Sequence, residues 1–387
     1  MKREKTLLAL SLLLTMGATG CKQTEAADEL VTIDVTATYP KQELILQDIM
    51  DVEYVPLETS DDFVTQGDVM AIGDKYIIVK NWTNDGNILV FDRETGKGVR
   101  KINRKGQSGE EYANINGVVL DEERNELFVN YTSGNKILVY DLSGHFKRSL
   151  PHAQGTECLD VFNFDKDHLI RYDMSVYYKE GEHNDGKAYH AIISKQGGSI
   201  TKPIAIPFDV VNSPFVQSGD GVAVASVCPI IPSRQQWLLV ETSSDTVYSY
   251  VPEKDQLIPF LVALPTKDPQ ILLTMGAVTD RYYFMKTIKK VFDFSTGRGF
   301  FGGTLMYDKQ QKAIFSPAIL NGDFVKEQTV DLASRPVNSE VAVFQILTAG
   351  QLLKAYENDG LKGRLKEIAA GMDEESNPVL MLVKYKK

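Results

Sequence analysis

The feature that most constrains the fold is an internal repeat. Residues 76–92 (YIIVKNWTNDGNILVFD) and 127–141 (LFVNYTSGNKILVYD) share one order: a β-prone run, an aromatic residue, a Gly/Asn turn, then Ile-Leu-Val-aromatic-Asp. Weaker copies begin near residues 189, 245 and 304, at intervals of roughly 50 to 60 residues. A period of this length, divided into short apolar runs by turn residues, is typical of the blades of a β-propeller.

The repeat predicts four antiparallel strands per blade, which we letter a to d from the axis to the rim. Five blades fall within residues 63–320, and the C-terminal part supplies a sixth. Residues 349–370 have helical spacing of apolar side chains, broken at residues 358–360, and residues 378–385 read as a strong last strand. We therefore predict an all-β, six-bladed β-propeller with one C-terminal helical insertion before the last strand.

Two strand-like segments precede the first blade, at residues 31–35 and 52–56. They have no partner inside that blade, and an open ring would leave unpaired backbone groups at two sheet edges. The simplest solution is that an N-terminal strand joins the C-terminal sheet and closes the ring.

The N-terminus indicates export. Residues 1–20 contain a basic start, a short apolar run and a zone of small residues, which predicts a signal peptide. The small residues directly before Cys21 resemble a bacterial lipobox, which implies cleavage before Cys21 and lipidation there. Residues 21–29 then form a flexible tether, and residues 30–387 form the propeller. Lys22 resembles the residue after the cysteine in outer-membrane lipoproteins, with the periplasmic and cell-surface sides both open.

Composition and motifs narrow the function. The net charge of -10 argues against nucleic acid, because binding to phosphates needs basic side chains. No zinc-hydrolase spacing, nucleophile elbow or phosphate-binding glycine loop occurs, so we predict no catalytic residue, no metal site and no cofactor. A solvated loop explains His183 and His190 better than a metal site, since metal ligands come in sets.

Four segments carry a resemblance to a known family: residues 52–59 (VEYVPLET), 88–92 (ILVFD), 105–112 (KGQSGEEY) and 244–248 (SDTVY). With these segments the chain resembles the six-bladed β-propeller lipoproteins of Gram-negative bacteria, which are similar in fold to NHL-repeat propellers. The resemblance spans nearly the whole mature chain. It implies the fold and leaves the activity open, since one fold hosts many functions.

Propeller geometry suggests where a ligand could bind. The b–c loops and the connections between blades share one face, so five side chains should converge there. They are Trp82, Arg104, Glu110, Tyr112 and Tyr131. Aromatic and polar groups on a concave rim suit a ligand, although Trp82 and Tyr131 could instead pack between blades.

Three functional hypotheses follow. The first is a non-catalytic, lipid-anchored envelope module that binds a glycan, a peptide or a partner protein. The second is a propeller-type enzyme, such as a lactonase, a lyase or a sulfotransferase-like protein, with an active site at the channel mouth. The third is a purely structural envelope component.

Replacing Cys21 by Ser tests the anchor. Several acyl chains hold a protein on a membrane stably, so we expect Cys21→Ser to lose radiolabelled palmitate and to move from the membrane fraction to the periplasmic or medium fraction. Fractionation and metabolic labelling measure this. Unchanged membrane association of Cys21→Ser would contradict the prediction, and Cys228→Ser is the control.

Overall fold

Six β-sheets surround a central axis, which confirms the predicted six-bladed propeller. The computed structural model of the chain describes residues 30–234 and 236–386, with the backbone alone at position 159. The predicted signal peptide, Cys21 and the tether over residues 21–29 lie outside the described residues.

Strands a to d follow chain order within each of blades 1 to 5. Blade 1 comprises Asp68–Ile72, Tyr76–Lys80, Asn87–Asp92 and Gly98–Asn103, and blade 2 comprises Gly117–Asp121, Glu126–Tyr131, Lys136–Asp141 and Phe146–Pro151. Blade 3 comprises Cys158–Asn163, His168–Asp173, His190–Ser194 and Ile200–Ile204, and blade 4 comprises Ile230–Pro232, Trp237–Leu239, Thr246–Val251 and Gln256–Ala263. Blade 5 comprises Ile271–Val278, Tyr282–Lys289, Thr304–Asp308 and Ala313–Leu320. Two small hairpins, Phe215–Ser218 with Gly221–Val224 and Phe292–Asp293 with Arg298–Gly299, extend from the connections.

The repeated Ile-Leu-Val-aromatic-Asp motif is strand c. Its apolar residues face the neighbouring blades on both sides, and one buried apolar cluster fills each junction between blades. Its final aspartate shapes the c–d turn: Asp92 Oδ1 accepts the N–H of Thr95 at 2.8 Å, and Asp141 Oδ1 accepts the N–H of Ser143 at 2.8 Å. The motif recurs because each blade needs the same two-sided packing and the same turn.

The ring closes through a strand from the N-terminus, as the sequence predicts. Met50–Pro56 pairs antiparallel with the last strand, Val379–Tyr385, which in turn pairs with Val341–Leu347. The register runs without a shift from Met50 opposite Tyr385 to Pro56 opposite Val379. Blade 6 is thus assembled from the two ends of the chain.

Blade 6 has three regular strands, and residues 331–338 take the place of its strand a. The carbonyl of Leu332 accepts the N–H of Ala277 at 2.8 Å, and the side chain of Asn338 donates to the carbonyl of Ile72 at 2.7 Å. This segment therefore joins the inner strands of blades 5 and 1. A Cβ on Gly276 would lie 2.3 Å from the Leu332 carbonyl oxygen, so the close approach requires glycine there.

The N-terminal belt, residues 30–56, covers the outer edges of half the ring. Val31–Ile33 pairs in parallel with strand d of blade 4, and Lys41–Ile45 pairs in parallel with strand d of blade 5. These covered strands have no charged side chain (QLIPFLVA and AIFSPAIL), whereas strands d of blades 1 to 3 all contain lysine (GVRKIN, FKRSLP and ITKPI). Charged side chains protect an open edge, so the belt covers the two edges that lack them.

Two helices, Ala349–Glu357 and Gly363–Ala369, lie between the first two strands of blade 6 and confirm the predicted insertion. Thr348 caps the first helix by accepting the N–H of Gln351, and Leu352 and Leu365 are buried against blades 5 and 6. None of the helices in the described part of the chain has the length and apolar character needed to cross a membrane. The remaining short elements are the helix Leu46–Ile49 and the 3-10 turns Thr132–Gly134, Met174–Tyr178 and Pro252–Lys254.

Replacing Ile33 by Ala tests the belt. Ile33 is fully buried between blades 4 and 5, and truncating a buried isoleucine costs about 2 to 5 kcal/mol. We expect a lower Tm and faster hydrogen exchange in residues 256–263, whose strand loses its cover. Thr32→Ala is the matched control because Thr32 is exposed on the same strand. Equal exchange in the two variants would contradict the prediction.

Candidate functional site

The axis of the ring holds a cavity of about 780 Å³. Strands a of blades 1 to 4 and residues 335–340 line it. The cavity also reaches the a–b turns of these blades. We call the face that carries these turns the turn face. The opposite face, which carries the b–c loops and the connections between blades, is the crossover face. A concave cavity of this size is in the range of small-ligand sites.

One side of the cavity is an aromatic wall formed by Phe162, Phe164 and Trp237. The Trp237 ring lies 6.1 Å from Phe162 and 5.6 Å from Phe164, measured between centroids. Phe162 lies in strand a of blade 3, and Phe164 follows the end of that strand. Trp237 is the first residue of strand b of blade 4. All three side chains are only partly buried, so the wall presents apolar surface to the cavity.

An ion pair crosses the cavity beside this wall. Arg335 Nη1 lies 2.6 Å from Asp160 Oδ1, and the guanidinium lies 5.2 Å from the ring centroid of Phe162. The Arg335 side chain is 39% exposed and that of Asp160 is 13% exposed. Burial alone would lower the pKa of Arg335, but the Asp160 carboxylate raises it above its usual value, so the guanidinium stays charged.

The cavity lining is acidic, with eight carboxylates against four cationic side chains. Several of these charges are paired. Lys195, fully buried, lies 2.6 Å from Asp121 and also donates to the carbonyl of Asp165. Glu122 accepts three backbone N–H groups from residues 74–76 of blade 1. The pairs hold the blades together, and the exposed carboxylates at the mouth on the turn face leave a negative rim there.

Tyr112, one of the five residues predicted to meet a ligand, is fully buried between blades 1 and 2. Its ring meets Tyr140 edge to face at 6.0 Å, its O–H donates to the Gly86 carbonyl at 2.9 Å, and its oxygen accepts the N–H of Arg104 at 3.0 Å. Burial raises its pKa to about 12. Tyr112 leaves no surface for a ligand in this structure and joins two blades instead.

Three of the other four predicted residues, Arg104, Glu110 and Tyr131, lie at the same blade junction. Arg104 Nε donates to the carbonyl of Gly144 in blade 2, and the carbonyl of Glu110 accepts the Tyr140 O–H. Tyr131 is half-buried between blades 1 and 2, whereas Trp82 is 71% exposed in the first b–c loop. The structure thus brings Arg104 and Tyr112 together. None of the five predicted side chains lines the axial cavity.

The described residues that line the cavity include no histidine. The described residues contain no group of three or more His, Cys, Asp or Glu side chains that could hold a metal ion. The expectation of a solvated His190 is wrong: it begins strand c of blade 3, is 1% exposed, and its Nε2 lies 3.0 Å from the Pro229 carbonyl. Burial lowers its pKa to about 4, so it is neutral at pH 7.

A buried carboxyl lies between blades 3 and 4, beside His190. Glu241 is 2% exposed, and Tyr172 Oη lies 3.2 and 3.1 Å from its two carboxylate oxygens. Burial raises the pKa of Glu241 to about 7, against hydrogen bonds from Tyr172 and from backbone N–H groups that favour the ionised form. The blade junction therefore gains or loses a proton near neutral pH.

The sequence analysis did not predict the residues that line the cavity, and the reasons are structural. Arg335 lies in an irregular segment with no strand pattern, and its sequence neighbours do not repeat. Asp160 and Phe162 lie on strand a of blade 3, whose register shifts between Cys158 and Val161, and Phe164 directly follows this strand. Such a shift in register is not visible in the sequence, so a simple alternating pattern does not predict which of these side chains face the axis.

Comparison with known proteins agrees with the geometry. The family model DUF5128, described as a 6-bladed beta-propeller, matches residues 22–336. No curated protein matches the chain. A candidate exported protein of Bacteroides fragilis NCTC 9343 is 14% identical with a TM-score of 0.58, covering 93% of this chain and 100% of that one. A DUF4221 member from Bacteroides vulgatus ATCC 8482 is 9% identical with a TM-score of 0.47, covering 88% and 98%. The likeness to the Bacteroides fragilis protein shows the fold alone.

The pH dependence of unfolding tests the role of Glu241. Its pKa is raised on folding from 4.5 to about 7, so its stabilising effect is complete below pH 4.5 and is lost as the pH rises through 7. Glu241→Gln removes this titration. We expect its Tm, relative to wild type, to rise between pH 5 and pH 8, by an amount equivalent to at most about 3 kcal/mol. Parallel Tm profiles for wild type and variant would contradict this, and Glu182→Gln, at an exposed position, is the control.

Proposed function

Because this chain belongs to the DUF5128 family of six-bladed β-propellers, we propose that it is a non-catalytic binding module of the cell envelope. Its ligand, a glycan, a peptide or a segment of a partner protein, enters the central channel from the turn face. The observation that carries this proposal is the cavity itself, which combines an aromatic wall with an anchored ion pair. Apolar surface with a few fixed polar groups is the usual composition of a ligand site.

The enzyme alternative has less support. A lactonase-type propeller would need metal ligands or an acid–base set on the axis, drawn from several blades. Arg335, which pairs with Asp160 in the channel, remains charged, and a charged arginine is a poor proton donor. The buried histidines with lowered pKa lie between blades, away from the cavity lining.

Envelope location is part of the same proposal. The predicted signal peptide and the lipobox-like Cys21 support an outer-membrane lipoprotein, and the similar Bacteroides fragilis protein is described as exported. A tether of residues 21–29 would keep the propeller close to the bilayer.

A channel-filling substitution tests where the ligand binds. Gly117 lines the cavity, and a Cβ there would have its nearest neighbour at 4.0 Å, so Gly117→Phe should fold and occupy the channel. We expect Gly117→Phe to weaken binding to any ligand found on glycan and peptide arrays by at least tenfold. Gly109→Phe is the matched control, because Gly109 lies in open space outside the cavity.

The arrays also separate two surfaces. Loss of binding in Trp82→Ala, with Gly117→Phe unaffected, would overturn the channel proposal and assign the ligand to the crossover face around Trp82. Catalytic turnover of a bound lactone or glycan would favour the enzyme alternative instead.

A further inference from the structure

We propose that the channel ligand is a neutral glycan. Arg335 and Asp160 form hydrogen bonds with its hydroxyl groups, and Trp237 stacks on a sugar ring. This inference rests on the proposed function, because it names the ligand class of the same cavity. It also assigns the residues that determine specificity, none of which belongs to the repeat motif.

The first step is the polar pair. Arg335 uses one N–H to bind Asp160, and the other N–H groups of its guanidinium have no partner in the described ranges. Asp160 Oδ2 likewise makes no hydrogen bond there. A hydroxyl group both donates and accepts, so two adjacent hydroxyls can accept from Arg335 and donate to Asp160 at the same time. Stacking on Phe162 holds the guanidinium in place before a ligand arrives.

The second step is the aromatic wall. Phe164 and Trp237 lie beside the ion pair and line the same cavity. A sugar ring has an apolar face of C–H groups and an edge of hydroxyl groups. Such a ring can place its apolar face on the wall and its hydroxyl edge on Arg335 and Asp160. A peptide backbone, which needs paired N–H and C=O partners, finds fewer matching groups on this wall.

The third step is charge. Eight carboxylates against four cations in the lining disfavour an acidic ligand. Asp160 is already paired with Arg335, so a cationic ligand that approaches this carboxylate also meets a guanidinium. The electrostatic field of the cavity therefore favours a neutral ligand over an acidic or a cationic ligand.

Fluorescence titration tests the inference on the mature chain. The protein has only two tryptophans, so a Trp82→Phe background leaves Trp237 as the single reporter. The probes are the neutral hexasaccharides of glucose (β-1,4 and α-1,4), xylose and mannose, with hexagalacturonate and hexalysine as acidic and basic comparators. We expect at least one neutral hexasaccharide to shift Trp237 emission and to bind at least tenfold more tightly than either comparator.

Substitutions at the pair give the specificity test. Arg335→Gln should weaken binding of that hexasaccharide at least tenfold and Asp160→Asn severalfold, with Arg335→Lys between wild type and Arg335→Gln. Arg281→Gln is the matched control, because Arg281 is also 39% exposed and pairs with Asp308 at 2.7 Å, outside the cavity. Circular dichroism and Tm establish that each variant is folded.

The outcomes separate the two proposals. Channel-dependent binding of hexalysine or hexagalacturonate, abolished by Gly117→Phe, would keep the binding-module proposal and overturn the glycan. Hexasaccharide binding that is unchanged in both Arg335→Gln and Gly117→Phe would overturn the channel as the site. Absence of binding to every neutral hexasaccharide would also overturn the glycan inference.

Discussion

The structure depends on one pairing, that of Met50–Pro56 with Val379–Tyr385. Each blade packs only on its two neighbours, so an open ring would leave the apolar sides of two blades and the backbone edges of two sheets in water. Pairing the first and last parts of the chain removes both costs together. It also makes the fold a single cooperative unit, because blade 6 cannot form until both ends are in place.

The same closure explains the irregular parts of the molecule. The belt has to travel around the rim from blade 4 to blade 6 before it pairs with the last strand, and on the way it covers the two outer edges that have no charged side chain. At the other end of blade 6, residues 331–338 complete the inner ring without forming a regular strand. That irregularity places Arg335 in the channel opposite Asp160. The candidate site thus lies where the repeat is broken, and function commonly resides where local regularity is lost.

The blades differ most in what fills their junctions. Between blades 1 and 2 the filling is aromatic, with Tyr112 inserted from the connecting loop. Between blades 3 and 4 it includes Glu241 and His190, whose pKa values are shifted in opposite senses by the same cause, burial. A repeat scaffold tolerates such variation because each blade contacts only its two neighbours.

The sequence by itself determined the blade count, the position of strand c in blades 1 to 5, the helical insertion and the closure by an N-terminal strand. These follow from a period of apolar runs and from the need to pair edges. Only the tertiary structure decided which side chains meet at the axis. Tyr112 and Arg104 looked like ligand residues because their loop connects blades, yet that loop is bonded to blade 2 through Arg104 and the Glu110 carbonyl. Asp160 and Arg335, 175 positions apart, meet because ring closure brings non-repeating residues together, and no local pattern encodes that distance.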